Sequence, residues 1–557
     1  MNALKKKSLH VAVLAGLAAV GAAGTAEAVH INPDGLGQVL IFPYYTARAG
    51  QFTAISIVNT QNNTKIVKVR FLEGKNSREV LDFNLFMSPN DVWTGAVVAT
   101  ANGAKVISND NSCVAPSDLF AETRFDGLGV QYLNEFKNYE YTGNSLTGTT
   151  DNATMNTLDR TREGYFEVIE MSVIDDNITT GDAMTAGNTA PLLTSYIKHN
   201  SAGVPANCPA VDAYDGNSAA ATRFQNIGGV GVFNQPPRGG LGGRASIINA
   251  TSGANYTFSP TAVDAWSDVS NYTPSGSTSP KLTDVSPNTS NIFTASGVVT
   301  ATWTGVPGGA MAGLLMRNTV QNEFILDAGT ASQTDWIVTF PTKRYQIAVG
   351  PGANAPILSG GVNLGPFANN FHNTTNDGSC DQYGVSVFNR EEQSPTGGTT
   401  LIQPSPQPSI TVIGNQLCWE ANVVPFGTTS LLGSTNTNPL VASLQSFVNN
   451  AFSVSVAPGT PALRGTQGPN GWMLMAFNQP AVAPAVPAVP NGQAMQPAGG
   501  GTIAFPGGVL TAFGAVPSGR HFGLPVVGAM VHNYKSAGVT SLYGGVVDHK
   551  FTRLINP

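Results

Sequence analysis

Between Lys65 and Phe86 the chain alternates with a period of two, and that alternation narrows the folds open to it more than any other feature. Val67, Val69 and Phe71 point one way along Lys65 to Leu72, while Lys68 and Arg70 point the other. Leu81, Phe83 and Leu85 likewise alternate with Asp82 and Asn84 along Val80 to Phe86. Successive side chains leave a strand on opposite faces, so each run reads as a strand with one apolar and one polar face. Glu73-Gly74-Lys75-Asn76-Ser77-Arg78 between them has turn chemistry. Ser88-Pro89-Asn90-Asp91 supplies the next reversal, because proline presets φ and Asn and Asp tolerate the angles that remain. The expectation is an antiparallel hairpin sheet with one face on a core and the other in water.

Later segments follow the same grammar. Leu417, Trp419, Ala421 and Val423 alternate with Gln416, Cys418, Glu420 and Asn422, whereas Trp472 to Phe477 is apolar at both parities and reads as a strand covered on both sides. Short apolar runs end in asparagine at Val58-Asn59, Phe233-Asn234, Ile248-Asn249, Phe388-Asn389 and Phe477-Asn478. Asparagine suits a strand exit because its side chain bonds the local backbone. The spacing of these sites is irregular, which excludes a solenoid or propeller repeat. Helical signal is confined to Asp118 to Lys137 and Leu440 to Phe452. Gly143 to Asn156 and the Pro/Ala-rich stretch Gln479 to Gly501 read as loops. The fold class is therefore all-β, rich in antiparallel β-sandwich, with few short helices. Pro236-Pro237-Arg238-Gly239-Gly240 is the best candidate for a boundary between an N-terminal β-sandwich-like domain, 29–240, and a C-terminal β-rich domain, 241–557.

The compartment is written at the N-terminus. Lys5, Lys6 and Lys7 precede a short run of Val, Ala and Leu, and Ala26-Glu27-Ala28 has the small-x-small pattern of a signal-peptidase site. Residues 1–28 thus read as an export signal and Val29 as the mature N-terminus. The apolar run falls short of the ~20 residues a membrane-spanning helix needs. Strands broken by Pro and Gly also fit poorly with the ~9–11 residues of a membrane-barrel strand. Outside the cytoplasm, four cysteines read as two disulfides. Three pairings are open, and nearness favours Cys113–Cys208 with Cys380–Cys418 on adjacent strands, their Cα atoms within the usual ~4.4–6.8 Å.

Charged residues make up 11% of the chain, against roughly 25% in ordinary globular proteins. Removing three lysines and one glutamate with the signal takes the net charge from −6 to −8. That balance, without a basic stripe, argues against nucleic acid as a partner. It also leaves a surface that opposes self-association only weakly.

No catalytic, cofactor-binding or metal-ligating residue is assigned, but three groups merit inspection. His521, His532 and His549, with Asp548, lie close together near the C-terminus without His-x-His or His-Glu-x-x-His spacing. Glu163, Glu167 and Glu170 could serve a glycosidase, which needs two neighbouring carboxylates. The odd spacing of Glu167 and Glu170 puts them on opposite faces of a strand, which favours a solvated face or hydrogen bonds to loops. Asn109-Asp110-Asn111 and Asp175-Asp176-Asn177 carry oxygen ligands for calcium but no EF-hand loop, and read as polar turns.

The stretch from Gly35 to Thr46, followed by Ser56-Ile57-Val58-Asn59-Thr60 and the Leu81-to-Trp93 segment, resembles uncharacterised exported proteins of Gram-negative bacteria, mostly within the first hundred residues. The resemblance implies an envelope or surface location and brings no catalytic residues with it. The strand grammar is also similar to that of immunoglobulin-like sandwiches, without their Cys–Trp–Cys core.

The expectation is an exported cell-surface, extracellular or periplasmic structural protein that acts through surface contacts. Its partners would be itself or other envelope components, without a cofactor and without spanning the membrane. Two rivals make different demands. A secreted carbohydrate- or ligand-binding protein needs a cleft lined by aromatics such as Trp93, Trp266, Trp303, Trp336, Trp419 and Trp472. A secreted hydrolase needs carboxylates or histidines converging in a pocket. For self-association the candidate is Val29 to Ile41, which either exchanges with another chain or completes its own sheet.

Overall fold

The alternating hairpin forms, with Lys65 opposite Met87 and Phe71 opposite Leu81. The structure is a computed structural model that describes residues 28–121, 124–125, 130–131, 133–142, 156–174, 190–215, 234–286, 288–294, 297–303, 308–347, 366–367, 379–390, 415–441, 444–445, 448, 470–477, 494–495, 503–504, 520–535 and 542–556. Half of it is strand and 11% helix, in antiparallel sheets, as the alternation implies. The hairpin strands Thr64–Glu73 and Glu79–Met87 belong to an eight-stranded sheet. Its order is His30–Ile31, Thr261–Asp264, Val39–Thr46, Glu163–Ile174, Thr64–Glu73, Glu79–Met87 and Cys113–Ala115, with Asn234–Gln235 added beside Glu163–Ile174. A five-stranded sheet lies against it in the order Ala254–Phe258, Leu241–Asn249, Gln51–Asn59, Val92–Ala99 and Ala104–Ile107.

Aromatic side chains fill the space between these sheets. Phe166 stacks on Phe42 with ring centroids 4.2 Å apart and lies 5.2 Å from Phe71. Ile55, Ile57, Trp93, Ile247 and Tyr256 close the core from the facing sheet. Gly164 lets the central strand approach its neighbour, because a Cβ there would sit 2.0 Å from the Leu72 carbonyl oxygen.

The expected wet face of the hairpin is dry. All ten residues of Thr64–Glu73 and all twelve of Glu163–Ile174 are buried. The cover comes from distant sequence. Lys68 donates to the Pro274 and Ser277 carbonyls, Tyr165 to the Pro341 carbonyl and Arg344 to the Asn76 carbonyl. Alternation in a strand reports which residues share a face; what lies over that face is decided elsewhere in the chain.

The boundary expected at residues 240 and 241 is not a break between sheets. Leu241–Asn249 pairs along the whole of Gln51–Asn59, and Thr261–Asp264 pairs with Val39–Thr46. The Pro-Pro-Arg-Gly-Gly signal does mark a turn, with Gly239 and Gly240 at φ of 72° and 79°, but it lies inside the sandwich. Ile337, Val423 and Val531 extend the same core into the C-terminal half.

Two four-stranded sheets organise that half. One runs Gly384–Asn389, Asn470–Ala476, Thr319–Ile325 and Lys550–Thr552; the other runs Ala421–Pro425, Gln333–Thr339, Ala529–Lys535 and Leu542–Asp548. Phe324, Trp336, Phe426, Met473 and Met475 pack between them. The strand around Trp472 is not covered on both sides: Met473, Met475 and Phe477 are buried, while Trp472 is 40% exposed. The Gln416-to-Val423 run is two strands, Gln416–Leu417 and Ala421–Pro425, separated at Cys418 to Glu420.

Smaller expectations divide. Asn59 and Asn249 end their strands and accept backbone N–H groups from Gln61 and from Thr251 and Ser252. Asn389 also closes a strand, but Asn234 opens one. The described part of 118–137 holds the strand pair Arg124–Phe125 and Val130–Gln131 rather than a helix. Residues 444, 445 and 448 are helical, as expected for 440–452. Helices the pattern did not announce are Ala190–Ile197, Cys208–Asp215 and Gly309–Leu315. The signal segment before Ala28 and nearly all of 143–156 and 479–501 lie outside the described residues.

Both favoured disulfides are present. Cys113–Cys208 joins the edge strand of the first sheet to a helix, with Cα atoms 5.0 Å apart. Cys380–Cys418 flanks the paired strands Asp381–Gln382 and Gln416–Leu417 at a Cα separation of 3.7 Å, below the expected ~4.4–6.8 Å. No helix among the described residues is long and apolar enough to cross a membrane. The Val29-to-Ile41 segment completes its own chain's sheet. Val29 bonds Thr289, His30–Ile31 pairs with Thr261–Asp264, and Val39–Thr46 is an interior strand.

Phe166→Ala removes the ring that joins Phe42 to Phe71, and a buried Phe-to-Ala change costs about 3–5 kcal/mol. The expected result is a lower denaturation midpoint with an unchanged slope in urea. Lys535→Ala, at an exposed strand end, should stay within about 0.5 kcal/mol of the parent.

Candidate functional site

The covered face of the first sheet holds the densest chemistry among the described residues. Arg70, on the hairpin strand that borders the central strand, reaches both ways. Its Nη1 donates to Glu167 at 2.9 Å, and its Nε donates to Glu79 at 2.8 Å. One residue pair along, Lys68 Nζ lies 2.9 Å from Asp82. At the turn, Glu73 accepts from Arg160 at 2.5 and 2.8 Å and from the backbone N–H groups of Lys75, Asn76 and Arg78. Lys68, Arg70, Asp82 and Glu167 sit on adjacent antiparallel strands, where residues of one parity share a face, so the ladder itself brings opposite signs together.

The three glutamates do not converge. Glu167 and Glu170 lie on opposite faces, as their odd spacing requires, and each has its own cation. Glu170 pairs with Lys65 at 2.6 Å, both wholly buried, and accepts the backbone N–H groups of Arg238 and Gly239. Glu163, at the start of the strand, accepts from Tyr44, Arg48, Ser434 and Thr435. Of the two arrangements expected for them, the solvated face is absent and hydrogen bonds to loops are present: all three carboxylates are buried, with Glu170 held by the 238–239 turn and Glu163 by Ser434 and Thr435.

Burial and pairing compete in setting their charge. Desolvation, opposed by the Arg70 guanidinium, leaves Glu79 and Glu167 raised to about 7. Glu170 is also raised by burial, against Lys65. Glu73 goes the other way: burial raises it, but Arg160 and the three backbone donors together hold it below the usual carboxylate range. Asp335, on the strand Gln333–Thr339, is raised to about 6 by burial against bonds from Ser430 and Leu432.

The histidines are separated. His532 contacts Met530 and Tyr534, while His549 bonds Asn322 and the Ile337 carbonyl and packs 4.9 Å from Trp336. Burial lowers His532 and lowers His549 to about 4. His521 lies on a strand of another sheet, and Asp548 is exposed beside the buried His549. No group of three His, Cys, Asp or Glu able to hold a metal occurs among the described residues. Asp110 has its oxygens engaged by Thr94 and Ser112, and Asp175-Asp176-Asn177 lies outside the described residues. Four of the six tryptophans, Trp93, Trp266, Trp303 and Trp336, are fully buried core. Trp419 is half-buried under Lys75, 4.0 Å from the ring centroid, which leaves Trp472 as the exposed one. A shallow cavity of about 540 Å³ is lined by Asn102, Asn138, Asp159 and Arg162 among others. Its charges are engaged locally, Asp159 with Arg48 and Arg162, and Arg162 with the Thr100, Ala101 and Gly103 carbonyls.

The arrangement holds strands in register and stores titratable charge. The sequence carried a trace of it: Lys68 and Arg70 share a face with Asp82 on the expected partner strand. Glu79, Arg160 and Glu163 carried no such signal, because their partners are set by the turn and by residues far along the chain.

The buried glutamates give the protein an unusual pH response. A carboxyl near 4.5 when unfolded and about 7 when folded favours the fold most at low pH, and that contribution is lost as pH rises from about 4.5 through 7. His549 acts in the opposite sense, losing its contribution as pH falls from about 6.5 through 4. Glu167→Gln should therefore remove part of the decline in stability between pH 5 and pH 8, measured as urea midpoints. Arg70→Met, which leaves Glu79 and Glu167 without their shared cation, should cost about 3–5 kcal/mol at pH 8.

Comparison of the chain with protein-family models, with curated proteins and with solved structures finds no match.

Proposed function

We propose that the chain is an exported structural protein of the cell envelope that acts through the faces of its sheets, on other copies of itself or on other envelope components. The export signal and two disulfides suit that setting. The observation that carries the reading is two cross-strand pairs of outward-facing aromatic residues, one on each four-stranded sheet of the C-terminal half. Tyr534 and Tyr543 are directly opposite one another on neighbouring strands and are 37% and 57% exposed. Phe388 and Trp472 are opposite one another on the other sheet and stack at 4.9 Å. Aromatic residues of this kind are enriched in protein interfaces, where they bury large area at little entropic cost. The three glutamates that a glycosidase would use are committed to internal pairs. Carbohydrate binding is the second reading, favoured by the flat Phe388–Trp472 stack with Ser386 and Gln321 nearby on the same face.

Sedimentation of the exported protein over a range of concentrations tests this. Association should weaken at least tenfold, about 1.4 kcal/mol, in Trp472→Ala or Tyr543→Ala. A chain that stays monomeric at high concentration and leaves the cell freely would sink the proposal. Glycan binding by a monomer, lost in Trp472→Ala, would favour the second reading.

A further inference from the structure

Three segments of the C-terminal half meet at one buried lysine. Lys343 opens the one-turn helix Lys343–Gln346, and its side chain is wholly buried. Its Nζ lies 3.1 Å from Asp381 Oδ2, donates to the Ser379 carbonyl, and stands 5.4 and 5.2 Å from the ring centroids of Phe340 and Phe367. Asp381 is fixed by its place in a ladder: Asp381–Gln382 pairs with Gln416–Leu417, and the Cys380–Cys418 disulfide lies next to it. Two residues past Cys418 comes Glu420, fully buried, with neither carboxyl oxygen accepting a hydrogen bond of normal geometry from the described residues. The Phe340 N–H donates to the Glu420 backbone carbonyl at 2.8 Å, which holds this strand against the turn that carries Lys343.

This centre differs from the other buried pairs. The carboxylate of Lys65–Glu170 is saturated by backbone donors, Lys68 is shared between a part-exposed Asp82 and the Pro274 and Ser277 carbonyls, and the arginines of the first sheet are not nucleophiles. Here an amine stands against a carboxyl beside two phenyl rings, and a second buried carboxyl, on the strand bonded to the Lys343 turn, acts on the amine's charge. We propose that Lys343 and Asp381 condense to an intramolecular isopeptide bond, with Glu420 as the proton-transfer group. The cross-link is independent of the surface reading above, and either can fail without the other.

This buried setting favours the neutral forms that condensation requires. Burial lowers Lys343, opposed by Asp381 and Glu420, and raises Glu420 well above the usual carboxyl range, opposed by Arg344 and Lys343. The Lys343 ammonium passes a proton to the Asp381 carboxylate, which leaves an amine and a carboxylic acid. The Nζ lone pair adds to Asp381 Cγ while Glu420 protonates the carbonyl oxygen, and the Glu420 carboxylate then takes the surplus proton from nitrogen. One C–O bond of the tetrahedral centre breaks, its hydroxyl takes the proton from Glu420 and leaves as water. The remaining hydroxyl returns its proton to Glu420. An Nζ–Cγ amide has formed, one water has left and Glu420 is unchanged. Contact geometry replaces collision, an advantage that reaches about 10⁵–10⁸ M in effective molarity for well-oriented groups. Exclusion of water protects the product from hydrolysis.

Peptide mapping of the reduced and alkylated full-length protein tests the bond. Trypsin does not cut after a modified lysine, so wild type should yield a branched peptide joining the Lys343 and Asp381 segments, lighter by one water than its parts. Asp381→Asn should form the same link with loss of ammonia instead, and Lys343→Arg should form none. Glu420→Gln, folded by circular dichroism, should lose at least nine-tenths of the branched peptide. Linear Lys343 and Asp381 peptides of full mass from folded wild type would overturn the bond. Undiminished cross-linking in Glu420→Gln would overturn the role given to Glu420.

Discussion

Arg70, held between Glu79 and Glu167, is the interaction on which the rest of the structure depends. It sits near the middle of a strand that lies between the hairpin partner and the long central strand, on the face a two-layer sandwich would leave in water. A charge moved out of water without a partner is prohibitively costly, so that face can be covered only if its charges pair completely. Arg70 pairs with two carboxylates at once, Lys68 takes Asp82, and Glu73 takes Arg160. With the signs balanced, the C-terminal half can close over the sheet. The chain's scarcity of charge is thus partly a matter of placement: many of its few ionic groups stand inside.

The cover is held by contacts that span most of the sequence. Glu163 receives Ser434 and Thr435, Thr339 donates to the Pro43 carbonyl, and Lys75 lies over Trp419. One apolar core accordingly runs through both halves, from Phe42 and Phe166 to Ile337, Val423 and Val531. Pairing over such separations makes for slow folding, because loop closure precedes the contacts that reward it. The disulfides then restrain two outlying regions, the helix that starts at Cys208 and the short ladder beside Asp381.

Much of the local structure was legible and little of the site was. The hairpin and the strand exits at Asn59 and Asn249 followed from alternation and from asparagine's affinity for nearby backbone groups. The disulfide pairing followed from nearness in sequence. The wet face did not, since Lys68 and Arg70 look the same in sequence whether water or another segment lies above them. The reverse error occurs at Trp472: an apolar run at both parities implied cover on both faces, yet the outer face is open and carries an aromatic stack. The turn at Pro236 to Gly240 was correctly placed but overread, because a chain reversal within a sandwich and one between domains use the same residues.

Taken alone, the sequence determined the strand class, the positions of the turns and the split of each strand into two faces. These depend on interactions within a few residues or across one hairpin, where periodicity and backbone preference dominate. Only the tertiary structure decided which faces are dry, which acid meets which base, and that Lys343, Asp381 and Glu420 stand together. Those outcomes depend on segments tens to hundreds of residues apart, and the energy of a charge depends on whether those segments have removed its water.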